Sequence, residues 1–93
     1  MYFNMGTINK AFGRVIVKLR KARGQSQEDL AWSIGSGSKY MSDVELGKRN
    51  VSMLFAKKVA DAFGITLYQL FVLIEEEQET NQLLDYLSNP TQK

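Results

Sequence analysis

The chain has 93 residues, 44% apolar and 24% charged, which bounds it to one globular domain with a single modest core. It holds no cysteine and no histidine, so disulfides, thiolate nucleophiles, imidazole bases and nearly all zinc and iron sites are excluded. The net charge of +2 hides an asymmetry: residues 1–50 carry nine Lys or Arg against four acids, and residues 51–93 carry three against six. The basic half points to a polyanionic partner and the acidic half to another role.

Residues 1–7 include Tyr2, Phe3 and Met5 without periodicity and are expected to form an N-terminal arm, frayed or laid on the core. A first helix is predicted from about Ile8 to Arg23. Phe12, Val15, Ile16 and Leu19 form its apolar stripe, and Gly24 stops it. The stretch 26–46 then reads as two short helices joined by a glycine-containing turn. Ser26 is an N-cap with Asp29 in the capping-box position, and Gln27, Leu30, Ala31 and Ile34 share one face. Ile34-Gly35-Ser36-Gly37 is a sharp turn. The second short helix, over 37–46, buries Met41 and Val44 and stops at Gly47.

Ser52 is expected to cap a fourth helix carrying Leu54, Phe55, Val59, Ala62 and Phe63, stopped by Gly64. Thr66 caps a fifth, with Leu67, Leu70, Phe71 and Ile74 as its stripe. Residues 75–93 form an acidic C-terminal extension and tail. Either helix five continues through Glu75–Gln82, or a separate sixth helix follows a break near Thr80-Asn81. Ser88-Asn89-Pro90 ends regular structure. The acidic run from Glu75 to Glu79 points round the whole helix, so it reads as a solvated face and not as a metal site.

No apolar run approaches the roughly 20 residues of a membrane span, and no charged segment followed by an apolar one marks export. The expectation is a cytoplasmic protein with no membrane association. Nucleophile, base and oxyanion donors do not converge anywhere in the sequence, so no enzymatic activity, cofactor or metal is expected.

Residues 12–71 resemble the Cro/C1-type helix-turn-helix family, also called the xenobiotic-response-element type. The residues that carry the resemblance are Arg20; then Gln27, Leu30 and Ala31; then Gly35; then Met41, Ser42, Val44 and Glu45; and then Gly47 and Arg49, all without a gap. Three positions depart from the pattern. Ser36 replaces an apolar turn residue, and Gly37 replaces a hydroxyl N-cap. The familiar Pro after the basic connector is replaced by Val51.

The resemblance implies an all-α, five-helix lambda-repressor-like DNA-binding domain over 8–74, followed by the C-terminal helical extension. It also implies a sequence-specific transcriptional regulator, a repressor in most such proteins, that binds double-stranded DNA as a homodimer on a roughly palindromic operator. Small phage repressors, restriction-modification controllers and antitoxins of bacterial or phage origin all fit. Carried over by position, Ser38, Lys39, Ser42 and Asp43 would contact bases, with Tyr40 also outward. Gln27, Gly37, Tyr40, Lys48, Arg49 and Asn50 would contact the DNA backbone. Arg20 and Glu45 would form an internal ion pair.

Phe71, Ile74, Leu83, Leu84 and Leu87 exceed the needs of one core and form a candidate dimer surface. The extension also offers a site for a protein partner. A competing reading is a protein-interaction module, antitoxin-like or adaptor-like, on a fold that no longer reads DNA. Ser36, Gly37 and Asp43 favour it, and the nine basic residues of the first half oppose it.

Overall fold

The computed structural model describes residues 5–88; residues 1–4 of the expected arm, the tail from residue 89 and the side chains of Met5, Gln82, Leu84, Asp85 and Ser88 lie outside the described residues. Five helices follow in order: α1 (Met5–Ala22), α2 (Gln27–Ser33), α3 (Ser38–Glu45), α4 (Met53–Ala62) and α5 (Leu67–Ser88). Helix α1 starts at Met5, three residues earlier than the sequence suggests, so helical structure reaches into the predicted arm.

Local chemistry sets most helix boundaries. Ser26 Oγ accepts from Asp29 N–H, and Asp29 accepts from Ser26 N–H, which closes a capping box on α2. The backbone bond from Ser26, with its hydroxyl partner, holds the Asp29 carboxyl below the usual range. Ser52 caps α4 through Phe55 N–H. Thr66 and Gln69 form a second reciprocal pair at the start of α5. At the other ends, Gly35 and Gly47 take φ values of +71° and +77° after α2 and α3. Each lets the next residue turn back on the helix: Ser36 N–H donates to Ala31 O, and Lys48 N–H to Asp43 O.

The core is built from Phe12, Val15 and Ile16 of α1, Leu30 and Ala31 of α2, Met41 and Val44 of α3, Val59 and Ala60 of α4, and Leu70 and Ile74 of α5. Helix α1 packs against both α3 and α5, and so links the short-helix pair to the C-terminal helix. Ile74, expected on a self-association surface, is only 7% exposed and belongs to this core. Its position four residues after Leu70 places both on the same face of α5.

Helix α5 is continuous through the acidic stretch, with no break at Thr80-Asn81. The expectation of a wholly solvated face needs correction. Glu77 accepts from Arg14 Nε at 3.0 Å and from Lys18 Nζ at 2.5 Å, and Gln78 is buried and donates to Thr7 Oγ1. The reason is periodicity: Gln78 continues the Leu70–Ile74 face, and Glu77 beside it meets the basic flank of α1. Beyond this clasp, Leu83, Tyr86 and Leu87 are exposed, and Phe71 is partly so.

Candidate nucleic-acid interface

Helices α2 and α3, with the turn between them, are locked to α1 by one charged cluster. Arg20 donates to Glu45 through two parallel bonds, Nε to Oε2 at 2.7 Å and Nη2 to Oε1 at 2.9 Å. The side chains are 14% and 6% exposed, and hydrogen bonding to Glu45 holds the Arg20 pKa above its ordinary value. Gln27 joins the cluster by donating Nε2 to Glu45 Oε1 at 2.9 Å. Its amide, which the resemblance assigns to a DNA phosphate, is half-buried and engaged with Glu45 in this structure. The cause is geometric, because the first turn of α2 faces the last turn of α3. Gly13 completes the junction by letting α1 approach the Val44 and Glu45 carbonyls directly.

The start of α3 is open. Gly37 is its N-cap and supplies no side-chain bond, while Ser36 Oγ donates to the Gly37 carbonyl. Ser38 and Lys39 are exposed, and Ser42 is half-buried. The two other residues expected to face outward do not. Tyr40 packs edge-on against Phe55, with ring centroids 5.2 Å apart, because it flanks the Met41–Val44 stripe one position to the side. Asp43 is only 7% exposed, whereas the sequence reading places it on the surface.

Asp43 sits beneath two cations. Its Oδ1 accepts from Lys39 Nζ at 2.9 Å, and its Oδ2 lies 3.4 Å from Arg49 Nη2. Bonding to Lys39, together with the charge of Arg49, keeps its carboxyl below the usual range despite burial. Arg49 also lies over the Tyr40 ring, 5.3 Å from its centroid. Lys48 is exposed, and Asn50 accepts from Asn9 Nδ2 at 2.7 Å, which ties the loop after α3 to α1.

Thus Ser38, Lys39, Lys48 and Arg49 are exposed, with Lys39 and Arg49 drawn together over Asp43 and Tyr40 beneath Arg49, while Gln27 belongs to the Arg20–Glu45 cluster. The sequence reading misses Gly13 and Asn9. A glycine inside a helix costs about 1 kcal/mol relative to alanine, which is a usable signal of close packing at Gly13; Asn9 gives no such signal. Among the described residues no cluster of acidic side chains is arranged to hold a metal ion, and no helix is long and apolar enough to cross a membrane.

Comparison with known proteins fits this geometry. The family model described as helix-turn-helix matches residues 16–70. The chain is 43% identical over 74 residues to the control protein C.MunI of Mycoplasma sp., an alignment that covers 78% of this chain and 100% of that protein. It is similar to the crystal structure of the restriction-modification controller protein C.AhdI from Aeromonas hydrophila, with 40% identity and a TM-score of 0.63 over 67% of this chain and 94% of that one. The clp gene regulator ClgR from Corynebacterium glutamicum shares the fold alone, at 20% identity and a TM-score of 0.81, over 87% of this chain and 86% of that one. The chain belongs to the helix-turn-helix family, of the Cro/C1 type.

Proposed function

We infer that the chain is a sequence-specific DNA-binding transcriptional regulator, acting as a homodimer on a roughly palindromic operator in the manner of a restriction-modification controller. The observation that carries this reading is the exposed first turn of α3. Ser38 and Lys39 are exposed there, near Lys48 and Arg49, on a helix braced from behind by Arg20 and Glu45. Relationship to a control protein along that protein's whole length supports it.

In this reading α3 enters the major groove. Lys39 donates to guanine O6 or N7, and the Ser38 hydroxyl bonds a base edge in either sense. Ser42, half-buried, reaches only the nearest edge. Gly37, Lys48, Arg49 and Asn50 meet the phosphates on either side of the operator, and Lys48 supplies salt-sensitive affinity common to all sequences. Two-fold symmetry sets two copies of α3 roughly 34 Å apart, one turn of B-DNA. Phe71, Leu83 and Leu87 of α5 form the self-association surface. The role is one of binding without a catalytic step, and its compartment is the cytoplasm.

The test is titration of random duplex DNA at two salt concentrations. Binding that weakens steeply with salt is expected. Absence of measurable binding at low salt overturns the reading and favours a protein-interaction module.

A further inference from the structure

We propose that Asp43 is an internal counter-charge that keeps Lys39 and Arg49 from gripping DNA of arbitrary sequence, and so sets the ratio of specific to non-specific binding. This rests on the DNA-binding reading above. The geometry has three parts. First, the two carboxylate oxygens are divided between the two cations, Oδ1 to Lys39 and Oδ2 to Arg49, so that one buried acid engages both. Second, exposure is graded: the Asp43 side chain is 11% exposed, Arg49 49% and Lys39 84%. The acid lies at the base and the cations project past it toward the solvent edge. Third, Arg49 is held from a second side by the face of Tyr40, whose ring is fixed by Phe55. The cations are aimed as well as neutralised.

A phosphate that approaches this edge must compete with a carboxylate already in place, and it also meets that carboxylate's repulsion. On random DNA the phosphates offer little beyond charge, so the exchange brings small gain. On a cognate site Lys39 gains a base-edge bond available only to the correct base pair, which offsets release from Asp43. A buried carboxylate under two surface cations therefore lowers affinity for the many wrong sites more than for the right one. This role differs from reading cytosine directly, which needs an exposed carboxylate.

The experiment compares the wild-type chain with Asp43→Asn, which keeps the shape and removes the charge. Each is titrated against random duplex and against a duplex selected by the wild-type protein, over a series of salt concentrations, with thermal melting of both proteins alongside. Asp43→Asn should bind random duplex several-fold more tightly and with a steeper dependence on salt. The slope should increase by about 0.9 for each additional phosphate that the freed cations neutralise. Affinity for the selected duplex should change less, so the specificity ratio falls. The double variant Asp43→Asn with Arg49→Gln should return the slope on random duplex toward the wild-type value, whatever the stability of the single variant.

Unchanged or weaker binding of random duplex by a folded Asp43→Asn protein overturns the proposal. So does a loss confined to the selected duplex, which assigns Asp43 to base reading. Failure of the wild-type chain itself to bind any duplex at low salt removes the DNA-binding reading instead.

Discussion

Gly13 and Glu45 meet backbone to backbone: a Cβ on Gly13 would lie 2.3 Å from the Glu45 carbonyl oxygen and 2.7 Å from that of Val44. Helix α1 crosses the last turn of α3 at this point, and the obstruction is main chain, which cannot rotate aside. Gly13→Ala gains about 1 kcal/mol in helix propensity. Overpacking against a fixed backbone outweighs that gain, with a net loss on the order of 2 kcal/mol. Thermal unfolding followed by circular dichroism should show a midpoint lower by roughly 10 °C. A midpoint equal to or above that of the wild type contradicts this account of the junction.

Arg20 and Glu45 act on DNA binding only through the fold. Arg20→Ala leaves the Glu45 carboxylate nearly enclosed, with Gln27 as its remaining partner, at a cost of about 3 kcal/mol. The variant should unfold at lower denaturant concentration. At a temperature where it is still folded, it should bind DNA close to wild-type strength. Weak binding by fully folded protein contradicts a purely structural role.

Lys39 and Arg49 separate base reading from backbone contact. Lys39→Ala should relax preference at one base pair in each half-site, at a cost of about 1–3 kcal/mol. Arg49→Ala should weaken the operator and each of its single-position variants alike, with base preferences unchanged. Binding to a panel of single-position operator variants distinguishes the two. Equal loss in both contradicts the division.

Glu77 makes stability depend on pH. Hydrogen bonding from Lys18 is the largest influence on its carboxyl, joined by Asn81 and Arg14, and together these outweigh burial and lower its pKa from 4.5. A carboxyl whose pKa is lower in the folded state stabilises the fold fully above its unfolded value. That stabilisation is lost as pH falls from about 4.5 through the depressed folded value. Asp29 and Asp43 shift in the same direction from a lower starting value, 3.8, so their contribution is lost only below that pH. Glu77→Gln should therefore melt lower than wild type at neutral pH, with the gap narrowing below pH 4.5. A gap that widens on acidification contradicts the ion-pair role.

The fold is legible in the sequence because its boundaries are local. Ser26, Ser52 and Thr66 cap helices by reaching backbone three residues away, and Gly47 stops α3 through its own φ, so each signal sits where it acts. The surroundings of individual site residues are not legible to the same degree. Whether Asp43 faces solvent depends on Lys39 and Arg49 folding over it, and Tyr40 turns inward because Phe55, fifteen positions later, offers it a surface. Gln27 is engaged because Glu45 arrives from α3. Sequence leaves the course of α5 open because Glu77 and Gln78 look like solvent residues until Arg14, Lys18 and Thr7 of α1 are set beside them.

In the proposed function, two copies of this chain read a symmetric DNA site through α3. Selection of bound duplexes from a random pool, followed by measurement of stoichiometry on the winning sequence, tests it most directly. The expected result is an inverted repeat whose half-sites are centred about one helical turn apart, with two chains bound to each site. A bound pool with no common sequence, or an asymmetric site occupied by one chain, would contradict it.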